Sequence, residues 1–345
     1  RFHAEPVACA SCGPQLTFEA AGDQDICDSS AALDAAVQAI ERGQIVAVKG
    51  IGGYHLVCDA LDTAAVAMMR QRKHRPDKPL AVMFPVAGAD GLDVARRYVI
   101  FEEVEAELTA GPIRPIVLAA KRPDCQLAPN VAPGLNEIGV FLPYSPLHQL
   151  LLQRFGGPVV ATSGNISGEP VLTQNAEASA RLAKIADGFL QHDRPIVRPA
   201  DDPVFRNIAG KPRPIRIGRG CAPLEMTLPW RQDEPLLAVG GHMKGTIALA
   251  WGNRVVVSPH IGEMDSPRSL DVFEQLVDDL QSLDGVRAER VVCDAHPGYT
   301  TSKWARQQSE LPVDEVWHHS AHGSAVAGEF DRPGPWLMFA WDGVG

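Results

Sequence analysis

Four groups of residues in this 345-residue sequence have types and spacings that can do chemistry. Lys73 and Arg75, followed by Lys78 in RQRKHRPDKPL, set fixed cations just ahead of the apolar run LAVMF. Cations in a loop beside a strand can hold a triphosphate or a small anion. Ser163, Asn165 and Ser167, in ATSGNISGEP, place hydroxyl and amide groups at the end of an extended run, where a nucleotide or carboxylate can be held. His318 and His322, in HHSAH, are four residues apart, so on a helix they share one face and two imidazoles can converge on one metal ion. Cys9 and Cys12 have the spacing of half a zinc site, with no second pair at a plausible distance. Each group has a plainer explanation: a solvated basic turn, a strand-to-helix turn, a pair of polar helix residues.

The elements that must position these groups alternate. SSAALDAAVQAIERGQ reads as a helix stopped by Gly43, and IVAVKGIGGYHLV as a strand running into a glycine loop. DTAAVAMMRQRKH reads as a helix and PLAVMFP as a buried strand; VARRYVIFEEVEAELTAG reads as helical and PIVLAAK as extended. SPLHQLLLQRF has Ser145 as N-cap and Pro146 at the first helical position. PVVATSGN is a strand ending in a polar loop, and NAEASARLAKIADGFL a helix. This alternation predicts an α/β domain around a twisted sheet. A Pro-rich aperiodic stretch over 221–235 predicts a boundary, after which a second α/β pattern begins with a hairpin cornered at Gly252-Asn253.

Acidic residues outnumber basic ones, 42 to 32, for a formal charge of −10, which argues against a general phosphate-backbone binder and makes nucleic acid an unlikely partner. Seven scattered cysteines do not form a secreted disulfide framework, and no apolar run approaches the roughly 20 residues that span a bilayer. The expected setting is reducing and cytoplasmic, without a membrane.

Taken in order, Lys-x-Arg-Pro-x-x-Pro-Leu and Thr-Ser-x-Asn-x-Ser-Gly resemble the YrdC-type carbamoyl-adenylate-forming fold. The resemblance implies that Lys73, Arg75, Ser163 and Asn165 line a pocket for ATP and carbonate or carbamate, and it adds Lys49, Tyr54, Thr162, Arg206 and Arg219 as nucleotide- or carbamate-binding residues. The family usually carries Ala where Gly164 stands, a difference expected to matter little. KGIGGYHLVCDA, HDRPIVRPADDPVFR and IRIGRGCAP are similar to the corresponding stretches of the HypF hydrogenase-maturation carbamoyltransferase family. His55 and His148 are expected to be satisfied interior histidines. HHSAH and WDGVG are similar to that family's metal motif, which implies His318, His322 and Asp342 as ligands of zinc or iron, with His319 at the surface or behind the ligands. GGHMKG is similar to the opening of the same actin-like domain, with Gly240, Gly241 and Lys244 near nucleotide phosphate; DAHPGYTTSKWA matches a further segment.

The fold implied is α/β: a YrdC-like twisted-sheet domain followed by part of an actin-like, ribonuclease-H-like α/β domain. Residues 1–22 are expected to end a zinc-knuckle region, with Cys9 and Cys12 as zinc ligands whose partner pair lies upstream; 23–222 form the carbamoyl-adenylate domain, and 235–345 open the transfer domain, which stops inside its Asp-Gly-x-Gly loop. The cofactors implied are ATP, Mg2+ and Zn2+, with carbamoyl phosphate as co-substrate. The activity implied is carbamoyl transfer to the C-terminal cysteine of a HypE-type acceptor protein, for cyanide-ligand synthesis in nickel–iron hydrogenases. The alternatives are an O-carbamoyltransferase for a small molecule, an RNA-binding or tRNA-modifying YrdC-type protein, and a structural adaptor.

Overall fold

In a computed structural model, residues 13–20, 25–166, 168–308, 310–330 and 334–342 are described. Cys9, Cys12 and Ser167 lie outside them. The chain divides into two units, the second comprising Gly168–Pro170 and the chain from Cys221 onward.

In the first unit, eleven strands among the described residues form one mixed sheet. From one edge it runs Leu16–Ala20, Gly188–His192, Val46–Lys49, Tyr54–Asp59, Val159–Ser163, Ala81–Met83, Glu137–Phe141, Ile116–Lys121, Val204–Ile208, Lys211–Arg216, with Val99–Ile100 paired to Ile116–Lys121. Helices cover both faces. Thr63–Arg72 and Asn175–Leu182 bury Ala65, Val66, Met69, Ala178 and Leu182 on one side, with Tyr54, Leu56 and Phe84. Ser29–Glu41 and Pro146–Phe155 bury Leu33, Val37, Ile40, Leu151 and Leu152 on the other, with Val57 and Phe141. The alternation of Tyr54, Leu56 and Cys58 against Val57 follows the two-residue strand period. Each fully buried large side chain here contributes roughly 1.5–3 kcal/mol.

Local signals set the helix ends. Asp28 caps the first helix, and Gly43 in the left-handed region stops it. Asp62 caps Thr63–Arg72 through two backbone N–H groups. Ser145 and Pro146 start the fourth helix as expected. Two helical expectations are corrected: NAEASARLAKIADGFL is helical only over Asn175–Leu182, and its end lies in the strand Gly188–His192. Only Glu103–Ala110 is α-helical in VARRYVIFEEVEAELTAG; Ala95–Arg97 is a 3-10 turn and Val99–Ile100 a short strand. Burial of Val99 and the strand's pairing with Lys121 and Ala120 outweigh local helix propensity.

In the second unit, the sheet order is Ala248–Val257, Leu224–Ala238, Arg290–Asp294, Val313–Val316, the last two pairings parallel. Pro267–Asp284, capped by Ser266 and stopped at Gly285, packs Val272, Phe273, Leu276, Val277 and Leu280 against it. Two expectations are corrected here. The Pro-rich stretch is mostly strand, Leu224–Ala238, with its irregularities taken up as register shifts. Gly252 is not a hairpin corner but an interior residue of Ala248–Val257, opposite Gln232 at such a shift.

Candidate functional site

In the first unit, register brings three loops to one sheet end. Val159–Ser163 runs antiparallel to both neighbours, pairing Ser163 with His55 and Val160 with Val82. The loop after Ser163 therefore lies beside the glycine loop before Tyr54 and the cationic loop before Ala81. Lys73 Nζ donates to Ser163 O (2.5 Å), Asn165 O (3.0 Å) and Asn165 Oδ1 (2.8 Å), across about ninety residues of chain. Ser163 Oγ donates to the same Oδ1 at 2.8 Å. Arg75 Nη1 donates to Thr162 Oγ1 at 3.2 Å, and its Nη2 to Pro79 O at 2.6 Å.

A helix end explains why Lys73 and Arg75 project together. Lys73 is the C-cap of Thr63–Arg72 and His74 follows in the left-handed region, φ 50°. The His74 N–H bonds Gln71 O and the Arg75 N–H bonds Arg70 O, with Pro76 next. These two bonds are the Schellman pattern, with a histidine where glycine is usual. Burial, followed by the charge of Arg75, lowers the Lys73 pKa to about 7; burial and neighbouring Arg70 and Arg216 lower that of Arg75 to about 10. A polyanion entering the site would relieve that repulsion.

Four residues assigned to the pocket by resemblance have other partners. Lys49 Nζ is held by the carbonyls of His192 and Arg194. Tyr54 OH bonds Asn175 and Gln191, while its carbonyl accepts from Gly164 N at 2.6 Å. Arg219 is buried, bonded to Asp202 and to the carbonyls of Ile113 and Arg114, and stacked 3.2 Å over the Tyr144 ring. Arg206 is exposed, paired with Glu137, and its strand lies four strands from Val159–Ser163, about 19 Å at normal spacing. Lys49, Tyr54 and Arg219 support the loops from within; Arg206 is not brought to them. Lys78 is exposed.

The expectation for Gly164 is corrected as well. A Cβ there would fall 2.5 Å from Tyr54 Cβ and 2.8 Å from Tyr54 O, so in this chain the turn admits only glycine without a shift. His55 and His148 are interior, as expected. His55 Nε2 pairs with Asp202 at 2.7 Å, and His148 Nδ1 with Ser145 Oγ at 2.8 Å. His55 and Arg219 hold the Asp202 carboxyl below the usual carboxylate range against the opposing effect of its burial.

In the second unit, His318–Gly328 is a helix that begins on the histidine motif. His318 Nε2 lies 2.8 Å and His322 Nε2 3.1 Å from Asp342 Oδ2, and the two ring nitrogens are 3.2 Å apart. These three donor atoms lie within 4.8 Å of one another, a set that can hold a metal ion. Asp294, at the end of Arg290–Asp294, opens the matched segment DAHPGYTTSKWA and was given no role from sequence. Its Oδ2 is 2.8 Å from His318 Nδ1 and its Oδ1 accepts from His296 N. A carboxylate on the far ring nitrogen fixes the imidazole's orientation and raises its basicity as a ligand. The His318 pKa is raised, first by the Asp294 hydrogen bond and then by Asp342. The signal available in sequence was a carboxylate closing a strand, VVCDAH. His319 and Lys244 are exposed, and Gly240 and Lys244 both take positive φ.

Comparison with known proteins decides the family. Residues 38–218 match the Sua5/YciO/YrdC model, described as telomere recombination; 231–329 match the HypF Kae1-like domain, and 1–19 the HypF finger. The chain belongs to the Sua5/YciO/YrdC family, in its HypF branch. Carbamoyltransferase HypF of Synechocystis is 45% identical over 96% of this chain and 42% of its own length. A threonylcarbamoyl-AMP synthase of Stenotrophomonas maltophilia is 30% identical over 46% of the chain and 84% of its own length. A crystal structure of full-length HypF in a phosphate- and nucleotide-bound form superposes with a TM-score of 0.87 at 40% identity, over 95% of this chain and 42% of that one. The chain thus spans less than half the length of the HypF relatives it matches. The mixed α/β architecture expected from sequence holds in both units. Among the described residues, no helix is long and apolar enough to cross a membrane.

Proposed function

We propose that the first unit makes carbamoyl-adenylate from ATP and carbamate, and that the second belongs to a domain that passes the carbamoyl group to a cysteine thiol. The observation that carries this reading is the meeting of Lys73 with Ser163 and Asn165, with Arg75 on Thr162 beside them. A carbamate oxygen attacks the α-phosphorus, the bond to the bridging oxygen breaks, and pyrophosphate leaves. Little covalent work falls to the protein, so catalysis is positioning and stabilisation of charge. Lys73 and Arg75 hold the phosphates, with Mg2+ accompanying the ATP. Ser163 and Asn165 donate to the carbamate or the nucleotide once the ligand draws them from each other. Lys49, Tyr54 and Arg219 keep the surrounding loops in place.

In the second unit, His318, His322 and Asp342 would hold zinc or iron, and Asp294 would fix the His318 ring. The metal, when bound, supplies a positive centre that polarises and orients an acyl-adenylate or thiol ligand. The acceptor in this reading is the C-terminal cysteine of a HypE-type protein, with carbamoyl phosphate as the source of carbamate and the cytoplasm as the setting. Cys9 and Cys12 would be zinc ligands of the matched finger.

The test is carbamate-dependent exchange of pyrophosphate into ATP by the full chain. Exchange should fall by about 10³-fold or more in a Lys73→Ala/Arg75→Ala double variant. Undiminished exchange in that variant would place the chemistry elsewhere.

A further inference from the structure

Arg70 opens the stretch RQRKHRPDKPL and was given no role there, yet its side chain is heavily bonded beside the first site. It lies on the buried side of Thr63–Arg72 and is 8% exposed. Its guanidinium makes five hydrogen bonds, all ending on main-chain carbonyls. Nη1 donates to Arg75 O (2.8 Å), Pro76 O (2.8 Å) and Lys78 O (3.2 Å), all within the loop that carries the site's cations. Nε donates to Asn130 O (2.5 Å) and Nη2 to Val131 O (3.1 Å), in the short turn Pro129–Val131. Val131 O also accepts from Leu80 N, where the loop enters its strand. One side chain therefore ties the helix end, the 75–78 loop and the neighbouring turn together.

That tie has work to do. His74 sits at positive φ without being glycine, a strained conformation that persists only when its surroundings enforce it. Arg75 bonds the same Lys78 carbonyl that Arg70 does, so the position of its guanidinium over Thr162 depends on where Arg70 holds that carbonyl. Burying a guanidinium is justified only where its nitrogens find acceptors, and here carbonyls of the loop and of the turn accept from Nε, Nη1 and Nη2.

We propose that Arg70 is a positioning residue: it holds the 73–78 turn in the one shape that aims Lys73 and Arg75 at the phosphates of the nucleotide. This rests on the reading of those two residues as the nucleotide's cations. Its chemistry is geometric. A misplacement of about 1 Å at a reacting centre can cost 10²-fold in rate.

The experiment is pyrophosphate exchange by Arg70→Ala and Arg70→Lys full chains, with amide hydrogen exchange on the same samples. For Arg70→Ala, kcat/KM should fall by about 10²-fold, with KM for ATP raised. Amide exchange should quicken over 73–80 and 130–131 and stay unchanged elsewhere. Arg70→Lys should fail to rescue, because an ammonium donates from one nitrogen where the guanidinium donates from three, spread over the loop and the turn. Exchange activity in Arg70→Ala within about threefold of the parent would overturn the proposal. So would a loss in kcat alone with hydrogen exchange quickened across the whole unit, the pattern of general destabilisation. If the parent chain exchanges no pyrophosphate, the proposed function fails, and hydrogen exchange over 73–80 still decides the role of Arg70: quickening there supports it and no change refutes it.

Discussion

In the first unit the chemically capable cation is interior: Lys73 is 6% exposed and spends its ammonium on three oxygens of one turn. In the second unit the metal-type donors stand near the surface, with the His322 side chain 56% exposed. The first site is assembled from strands and loops distant in sequence, the second from one helix, one strand end and one later carboxylate. The first therefore depends on the fold's packing to keep charge in place, whereas the second could be held together by the ion it is proposed to take. Lesions should accordingly separate: changes at the first site act through position and charge, changes at the second through metal content.

The largest expected effect tests that separation. A His318→Ala/His322→Ala double variant should lose bound zinc or iron by elemental analysis, while pyrophosphate exchange stays within about threefold of the parent. Loss of both together would mean that the two sites are not independent. Asp294→Asn comes next. With the ligands intact but the His318 ring no longer fixed by a carboxylate, metal affinity should fall about 10- to 100-fold, measured by competition with a chelator. An unchanged affinity would leave Asp294 as a buried partner of His318 with no part in holding the metal.

The third prediction is a pH dependence confined to the first site. Lys73 titrates near 7 in the free protein, and bound triphosphate should raise that value. ATP binds the protonated form, so apparent affinity should be constant below pH 7. It should fall about tenfold per unit above pH 7, until the pKa of the complex is reached. Lys73→Ala should flatten the profile, and a slope surviving in that variant would assign the titration to another group. The linked effect on stability has the opposite direction. A lysine whose folded pKa lies below its unfolded value of 10.5 disfavours the folded state below pH 7, and that penalty is relieved as pH rises from about 7 toward 10.5. The smallest effect is Gly164→Ala, which should cost about 1–3 kcal/mol in urea unfolding as the Tyr54 main chain is displaced. A neutral result would mean that the turn yields to an added methyl group.

Both candidate sites were legible as residue types, but not as geometry. Lys73, Arg75, Ser163 and Asn165 stood out because cations and amides bracketed apolar runs. Arg219 and Lys49 looked alike in sequence, yet the folded chain turns their donors onto main-chain carbonyls and, for Arg219, Asp202. No local pattern marks that, because a buried arginine and a ligand-binding arginine share composition and differ only in what folds over them. Arg70 was hidden for the same reason: its acceptors are carbonyls, which every residue carries.

Sequence alone determined the α/β alternation, the cap at Ser145, and the shared helical face of His318 and His322. Those follow from short-range periodicity and hydrogen bonding within a few residues. Tertiary structure decided the rest. The antiparallel register of Val159–Ser163 against both neighbours joins Lys73 to Asn165, and the pairing of Val99 and Ile100 turns an expected helix into a strand. The Tyr54 main chain likewise leaves room at Gly164 for hydrogen alone. Each of these is a contact between segments far apart in the chain, fixed by burial and sheet register, which a local reading of residues does not contain.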